Sequence, residues 1–222
     1  MLSRCAAVIP VYNHADRLPG VISAALGLGL ARVIVVDDGS TDGSDAAARA
    51  FEPRGVLLVR QEVNRGKGAA LLRGFAAAAE AGAEYAVSID GDGQHDPADA
   101  LALIAALPTE GPRPLVLGRR TGMLVDRTSE DVPWTSRFGS GFSYFWVRCS
   151  GGPRLSDTQS GFRVYPLAEV QALRTRARRY QYEVEVLALC HWHGIEVREV
   201  PVRVSYQQGA RVSHFRPFVD FW

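Results

Sequence analysis

Apolar residues in this chain come in short unbroken runs, separated by stretches of helical spacing. Residues 6–11, 32–36, 56–59, 85–89 and 114–118 are nearly continuous apolar runs of strand length. Between them, residues 16–28 place Leu18, Val21, Ile22, Ala25 and Leu26 at helical spacing, and residues 41–51, 66–82 and 97–107 also suit helices. Strands that are apolar throughout, alternating with helices, predict an α/β fold: a mostly parallel sheet with helices on both faces. The second half has a different texture. Residues 119–133 are polar and charged and read as a mobile loop. Over 134–149, Trp134, Phe138, Phe142, Phe145 and Trp146 fall mostly on one helical face. That stripe suits core packing, with contact to a lipid chain or membrane surface as the alternative. Residues 162–165 read as a short strand, 182–193 as a helix, and 196–204 as a strand that Pro201 assigns to an edge. No linker divides the chain, so residues 1–222 are expected to form one domain.

In a parallel sheet, ligands bind beyond the carboxyl ends of the strands. Three such ends carry polar chemistry: Pro10-Val11-Tyr12-Asn13, Asp37-Asp38-Gly39-Ser40 and Asp90-Gly91-Asp92-Gly93-Gln94. In extended chain, residues i and i+2 point the same way, so Asp90, Asp92 and Gln94 present three oxygen-bearing side chains to one spot. Hard oxygen ligands suit Mg²⁺ or Mn²⁺, and a metal held by one or two carboxylates usually takes substrate phosphates as its other ligands. An acidic turn after a strand is the plain alternative. Asp37 and Asp38 read either as ligand contacts or as caps of the following helix. Lys67, in the turn Asn64-Arg65-Gly66-Lys67-Gly68 that opens a helix, reads as a phosphate contact or as a solvated charge. The P-loop spacing is absent, which excludes a Walker-type ATPase.

Composition narrows the picture. Of 222 residues 47% are hydrophobic, enough for a sizeable core. A formal net charge of +1 argues against bulk binding to nucleic acid. The three cysteines, Cys5, Cys149 and Cys190, form no metal or disulfide pattern and point to a reducing compartment. The first residues lack the features of a signal peptide, and no apolar run is long enough to span a membrane. The final residues mix bases and aromatics and are still apolar at Trp222, as in an interfacial segment of a chain that continues.

Four segments together resemble the family-2 glycosyltransferases of GT-A, Rossmann-like fold: Ile9-Pro10-Val11-Tyr12-Asn13, Val35-Val36-Asp37-Asp38-Gly39-Ser40-Thr41-Asp42, Asn64-Arg65-Gly66-Lys67-Gly68 and Asp90-Gly91-Asp92-Gly93-Gln94-His95. The dolichyl- or polyprenyl-phosphate mannose and glucose synthases are resembled more closely. That likeness rests on Gly118-Arg119-Arg120, Asp157-Thr158-Gln159-Ser160-Gly161-Phe162-Arg163, Tyr182-Glu183-Val184-Glu185 and Glu199-Val200-Pro201-Val202.

The resemblance implies an inverting, metal-dependent hexosyltransferase. It would move a hexose from a nucleotide diphosphate sugar, of GDP-mannose or UDP-glucose type, to a polyprenyl-phosphate-like lipid. Residues 1–119 would bind the nucleotide sugar and 120–222 the acceptor. The implied donor contacts are Pro10, Tyr12, Asn13, Asp37, Asp38, Lys67, Asp90, Gly91, Asp92, Arg211 and His214, with metal at Asp90, Asp92 and Gln94. Arg119, Arg137 and Ser140 would hold the lipid phosphate, because arginine grips phosphate bidentately. Asp92, Asp157, Arg119 and Arg137 form the implied catalytic set. Asp157 would orient a cation or the acceptor, with turn capping as the alternative; were the acceptor a hydroxyl, Asp157 would serve as general base. Arg120 and Arg127 read as solvated, His14, His95, His191 and His193 as structural or surface residues, and Glu183 and Glu185 as ion-pair partners rather than catalysts. The chain departs from the resembled synthases at Gln208 and His214, where basic residues are common, and Arg211 is placed to supply the missing charge. The implied location is cytoplasmic, peripheral at the membrane face. The rivals are a family-2 enzyme with a hydroxyl acceptor, a nucleotidyltransferase, and a non-catalytic lipid- or nucleotide-binding module.

Overall fold

The computed structural model describes residues 1–121, 155–158 and 160–203. Seven strands form one sheet: β1 (Cys5–Val11), β2 (Arg32–Asp37), β3 (Val56–Arg60), β4 (Tyr85–Ser88), β5 (Leu115–Thr121), β6 (Arg163–Pro166) and β7 (Val197–Arg203). Their order is β3-β2-β1-β4-β6-β5-β7. β6 runs antiparallel to both neighbours, and every other pairing is parallel.

The six described helices are α1 (Leu18–Gly27), α2 (Ser44–Arg49), α3 (Lys67–Glu80), α4 (Ala100–Ala105), α5 (Leu167–Ala172) and α6 (Gln181–Trp192). The strand pleat explains the layering. Cys5, Ala7, Ile9 and Val11 pack with α1, α2 and α4, whereas Ala6 and Val8 pack with α3, α5 and α6. Both faces of the sheet are therefore covered, as unbroken apolar strands require. Pro201 lies in β7, at the sheet edge, where a missing N–H costs no ladder bond.

The structure departs from the sequence reading in two places. β5 continues through Arg119 and Arg120 to Thr121, where a loop was expected, because β7 pairs with it along its whole length. α5 was not anticipated: it follows β6 directly, so no break in the sequence separates the strand from the helix. The expected aromatic helix over 134–149 lies outside the described residues.

α3 approaches the sheet at Gly74. A Cβ there would meet Val8 Cγ1 and would sit 3.0 Å from Val36 Cγ2. Gly74→Ala is therefore expected to destabilise by roughly 1–3 kcal/mol, because overpacking outweighs the gain in helix propensity. Urea denaturation measures this as a lower midpoint.

Candidate functional site

The site begins at the carboxyl ends of β1, β2 and β4, three neighbouring strands inside the sheet. Asp38 N donates to Val11 O at 2.9 Å, which ties the β2 end to the β1 end. Asn13, in the left-handed region at φ 55, donates its N–H to Ser40 Oγ at 3.0 Å and accepts from Thr41 N at 2.9 Å. Its side chain thus braces the 40–41 turn. Pro10 is buried in β1, and Tyr12 is half-buried just beyond it.

Asp37 and Asp38 are both buried but do different work. Asp37 Oδ1 accepts from Ser40 N at 3.0 Å. Its Oδ2 lies 3.4 Å from Arg60 Nε and accepts no hydrogen bond among the described residues. Asp38 accepts from Gln61 Nε2 at 2.9 Å and from the backbone N–H groups of Arg65 and Gly66 at 2.7 Å each. It clamps the loop that enters α3. Burial raises the Asp38 pKa, although those backbone donors oppose the shift. Neither residue caps α2, whose N-cap is Gly43; Asp42, just before it, accepts from Ser44 N at 3.0 Å and Ser44 Oγ at 2.6 Å.

Asp90 follows β4 by two residues. Gly91 lies against the β1 end, where an added Cβ would sit 3.2 Å from Pro10 O and 3.3 Å from Val11. Asp92 Oδ1 accepts from Gln94 N at 3.0 Å, and Arg17 Nη1 donates to Asp92 O at 3.1 Å. The Gln94 amide makes no hydrogen bond among the described residues. Burial, then the charge of Asp90, pushes the Asp92 carboxyl up to about 6. Asp90 moves the other way: burial works against its charge, but Lys67 outweighs burial and its pKa falls.

Lys67 is not solvated. Its Nζ lies 2.7 Å from Asp90 Oδ1 and 2.8 Å from Glu183 Oε1 on α6, with its side chain 13% exposed. Burial disfavours the ammonium, but the two carboxylates prevail and raise its pKa. Glu183 is thus an ion-pair partner, as its sequence context suggested. Glu185 accepts the backbone N–H groups of Arg176 and Ala177.

Arg120 requires a correction: it is paired rather than solvated. Its Nε and Nη2 reach Asp157 Oδ2 and Oδ1 at 2.6 and 2.8 Å, and its backbone N–H donates to Asp157 Oδ2 at 3.2 Å. Glu199 on β7 accepts from Ser156 N at 2.7 Å and Asp157 N at 3.1 Å, fixing the loop that carries Asp157. Arg119 alternates onto the opposite face of β5, shared with Leu115 and Leu117, and forms no ion pair among the described residues. His95 is buried and stacked on Phe162, with centroids 5.0 Å apart and planes 9° apart; burial lowers its pKa. Arg137, Ser140, Arg211 and His214 lie outside the described residues.

The Asp157–Arg120 and Lys67–Glu183 pairings carry the site's electrostatics, yet sequence reasoning missed both. One signal was available. Tyr182, Val186, Leu187 and Cys190 form a buried face of α6, and Glu183 sits buried beside them. An acid so placed demands a buried cation.

Asp90 and Asp92 repel one another, and among the described residues no group of three His, Cys, Asp or Glu side chains is arranged to hold a metal ion. A divalent cation fits this donor set. It would relieve the repulsion that raises Asp92, with Gln94 free to contribute and phosphate oxygens completing the shell.

Residues 6–170 match the family model described as Glycosyl transferase family 2. Over 217 residues the chain is 27% identical to the UDP-N-acetylglucosamine–dolichyl-phosphate N-acetylglucosaminyltransferase of Methanococcus voltae, covering 90% of this chain and 85% of that one. It is 30% identical to the dolichyl-phosphate beta-glucosyltransferase of Mus musculus, over 97% of this chain and 69% of that one. Among solved structures, glucosyl-3-phosphoglycerate synthase of Mycobacterium tuberculosis in complex with UDP superposes with a TM-score of 0.73 at 23% identity, over 95% of this chain and 74% of that one. That likeness bears on the fold, which is of GT-A, Rossmann-like type. By its family match and its relatives, the chain belongs to glycosyl transferase family 2 and is a glycosyltransferase.

Proposed function

We propose that this protein moves a hexose, with inversion, from a nucleoside diphosphate sugar to a polyprenyl-phosphate-like lipid at the cytoplasmic face of the membrane. The observation that carries the donor side is the carboxylate pair Asp90–Asp92 at the end of β4, with Lys67 beside it. The acceptor class is supported by relatives whose names specify dolichyl or undecaprenyl phosphate. No helix among the described residues is long and apolar enough to cross a membrane.

Asp90, Asp92 and Gln94 would hold Mg²⁺ or Mn²⁺; solved glucosyl-3-phosphoglycerate synthase complexes contain either metal with UDP. When bound, the cation supplies Lewis-acid stabilisation of the departing diphosphate. Pro10, Tyr12, Asn13, Asp37 and Asp38 border the nucleotide side of the crevice, and Gly91 keeps the metal turn close to the β1 end. Asp38 also shapes the crevice from beneath by clamping the loop into α3. Residues 1–119 form the donor half in this reading and 120–222 the acceptor half, with Arg211 and His214 completing the donor phosphate contacts.

A lipid phosphate is already ionised near neutral pH, so its oxygen needs cations to position it rather than a base to activate it. Arg119, with Arg137 and Ser140, takes that role. Asp157 anchors Arg120 instead of abstracting a proton, because a carboxylate held bidentately by a guanidinium is a poor general base. This weighs against a hydroxyl acceptor.

A thermal-shift screen of UDP-, GDP- and dTDP-sugars with Mn²⁺ identifies the donor, since a ligand of the folded state raises its apparent stability. Transfer to a short polyprenyl phosphate then tests the acceptor; transfer to a soluble glycoside alone would contradict the proposal. Arg119→Ala is expected to raise KM for the lipid phosphate roughly tenfold or more, leaving the thermal shift with donor unchanged. Steady-state kinetics with the two substrates varied separately checks this.

A further inference from the structure

Lys67, Asp90 and Glu183 come from α3, the turn after β4 and α6, and meet in one cluster. With Asp92, this cluster holds three carboxylates and one ammonium, a formal excess of two negative charges that matches one divalent cation. The placement of the ammonium matters. Resting on Asp90 alone, it would neutralise that carboxylate and compete with a metal for its oxygens. Glu183 Oε1, 2.8 Å from Nζ, shares the ammonium with Asp90 Oδ1 at 2.7 Å, so the lysine orients Asp90 while its single charge is divided between two carboxylates.

The surroundings hold Glu183 in place. Arg163, fully buried, donates to Glu183 O at 2.7 Å, Ser160 O at 2.7 Å and Thr158 O at 3.0 Å. The start of α6 is thereby tied to the loop that carries Asp157. Gly161 roofs the cluster: a Cβ there would meet Lys67 Nζ and would lie 2.7 Å from Glu183 Oε1 and 2.8 Å from Asp90 Oδ2. Its carbonyl is held in turn by Ser88 Oγ at 2.5 Å.

We propose that Glu183 is a positioning residue for divalent-cation binding at Asp90 and Asp92, acting through Lys67 rather than as a ligand. The inference rests on the reading of those two carboxylates as the metal site. Partners that orient ligands typically carry a tenfold to hundredfold share of metal affinity.

The test is a titration of the purified chain with Mn²⁺ alone, free metal being read by electron paramagnetic resonance. Glu183→Gln is expected to weaken Mn²⁺ binding about tenfold while the far-UV circular dichroism stays unchanged. In a Lys67→Met background the same change should have an effect of less than about twofold, because the path through the lysine is already gone. Gly161→Ala, which crowds the cluster without removing a charge, should also weaken Mn²⁺, and it decides the matter if Glu183→Gln fails to fold. Undiminished Mn²⁺ affinity in a folded Glu183→Gln or Gly161→Ala variant would overturn the inference. An equal loss from Glu183→Gln in both backgrounds would do the same. Asp92→Ala separates the two levels: if that variant binds Mn²⁺ as well as the parent, the metal reading itself falls, and the inference with it.

Discussion

Asp92→Ala is expected to lower sugar transfer by about a thousandfold or more, a loss on the order of 4 kcal/mol in transition-state stabilisation, while the protein remains folded. Of the two carboxylates, Asp92 is the cleaner target, because Asp90 is engaged by Lys67 and its removal would strand a buried ammonium. Among the described residues Asp92 forms no ion pair; its carboxylate accepts one backbone N–H from Gln94. Its pKa, raised to about 6 by burial and by Asp90, means that the ionised carboxylate is a net cost to the folded protein. For a carboxyl raised in this way, the cost is absent below the ordinary carboxylate range. It grows as pH rises toward about 6 and is complete above it. Removing Asp92 near neutral pH should therefore leave the melting temperature unchanged or higher. Loss of turnover with retained stability identifies a functional carboxylate; full turnover with metal present would refute the assignment.

Asp157→Ala should behave in the opposite way. Its carboxylate takes both Nε and Nη2 of Arg120, and both side chains are largely shielded, at 11% and 18% exposure. Removing the acid leaves a shielded guanidinium without its bidentate partner, at a cost of roughly 2–4 kcal/mol. Arg120→Met should cost a similar amount, and the double variant less than the two combined, because the surviving charge is gone. Denaturant melts of the four proteins measure this coupling. Were Asp157 a general base for a hydroxyl acceptor, Asp157→Asn would keep near-normal stability and lose activity by orders of magnitude. In the present account Arg120→Met, which leaves the acid intact, impairs transfer about as much as Asp157→Asn, because both loosen the same loop beside Arg119.

Much of this architecture was legible in the chain because parallel strands buried on both faces leave a strong mark. The runs ending at Val11, Val36 and Ile89 read as strands, and their ends located the crevice. Among the helices, α3 repeats its apolar face over several turns, whereas α5 starts directly where β6 ends and has no sequence break to mark it. β5 was cut short in the reading because Arg119 and Arg120 look like loop residues locally; only pairing with β7, some eighty positions further on, makes them strand.

The site divides along the same line. Asp90-Gly91-Asp92 stood out because its residues are neighbours in sequence. Lys67 with Glu183, and Arg120 with Asp157, are pairs formed by folding, and no local pattern says which distant charge a buried lysine or arginine will meet. Asp38 shows the converse. Its motif pointed to a ligand, yet in the fold both its oxygens hold the chain entering α3. In this account it maintains the donor crevice through that loop.

The central claim is that the Asp90–Asp92 carboxylates serve transfer of a sugar to a lipid phosphate. The most direct measurement incubates the purified protein with a radiolabelled nucleotide sugar, Mn²⁺ and a short polyprenyl phosphate, and follows label into the organic phase. The expected outcome is a lipid-linked product that disappears on chelation of the metal and in Asp92→Ala. Label that enters only water-soluble acceptors, or lipid product formed equally well after chelation, would contradict it.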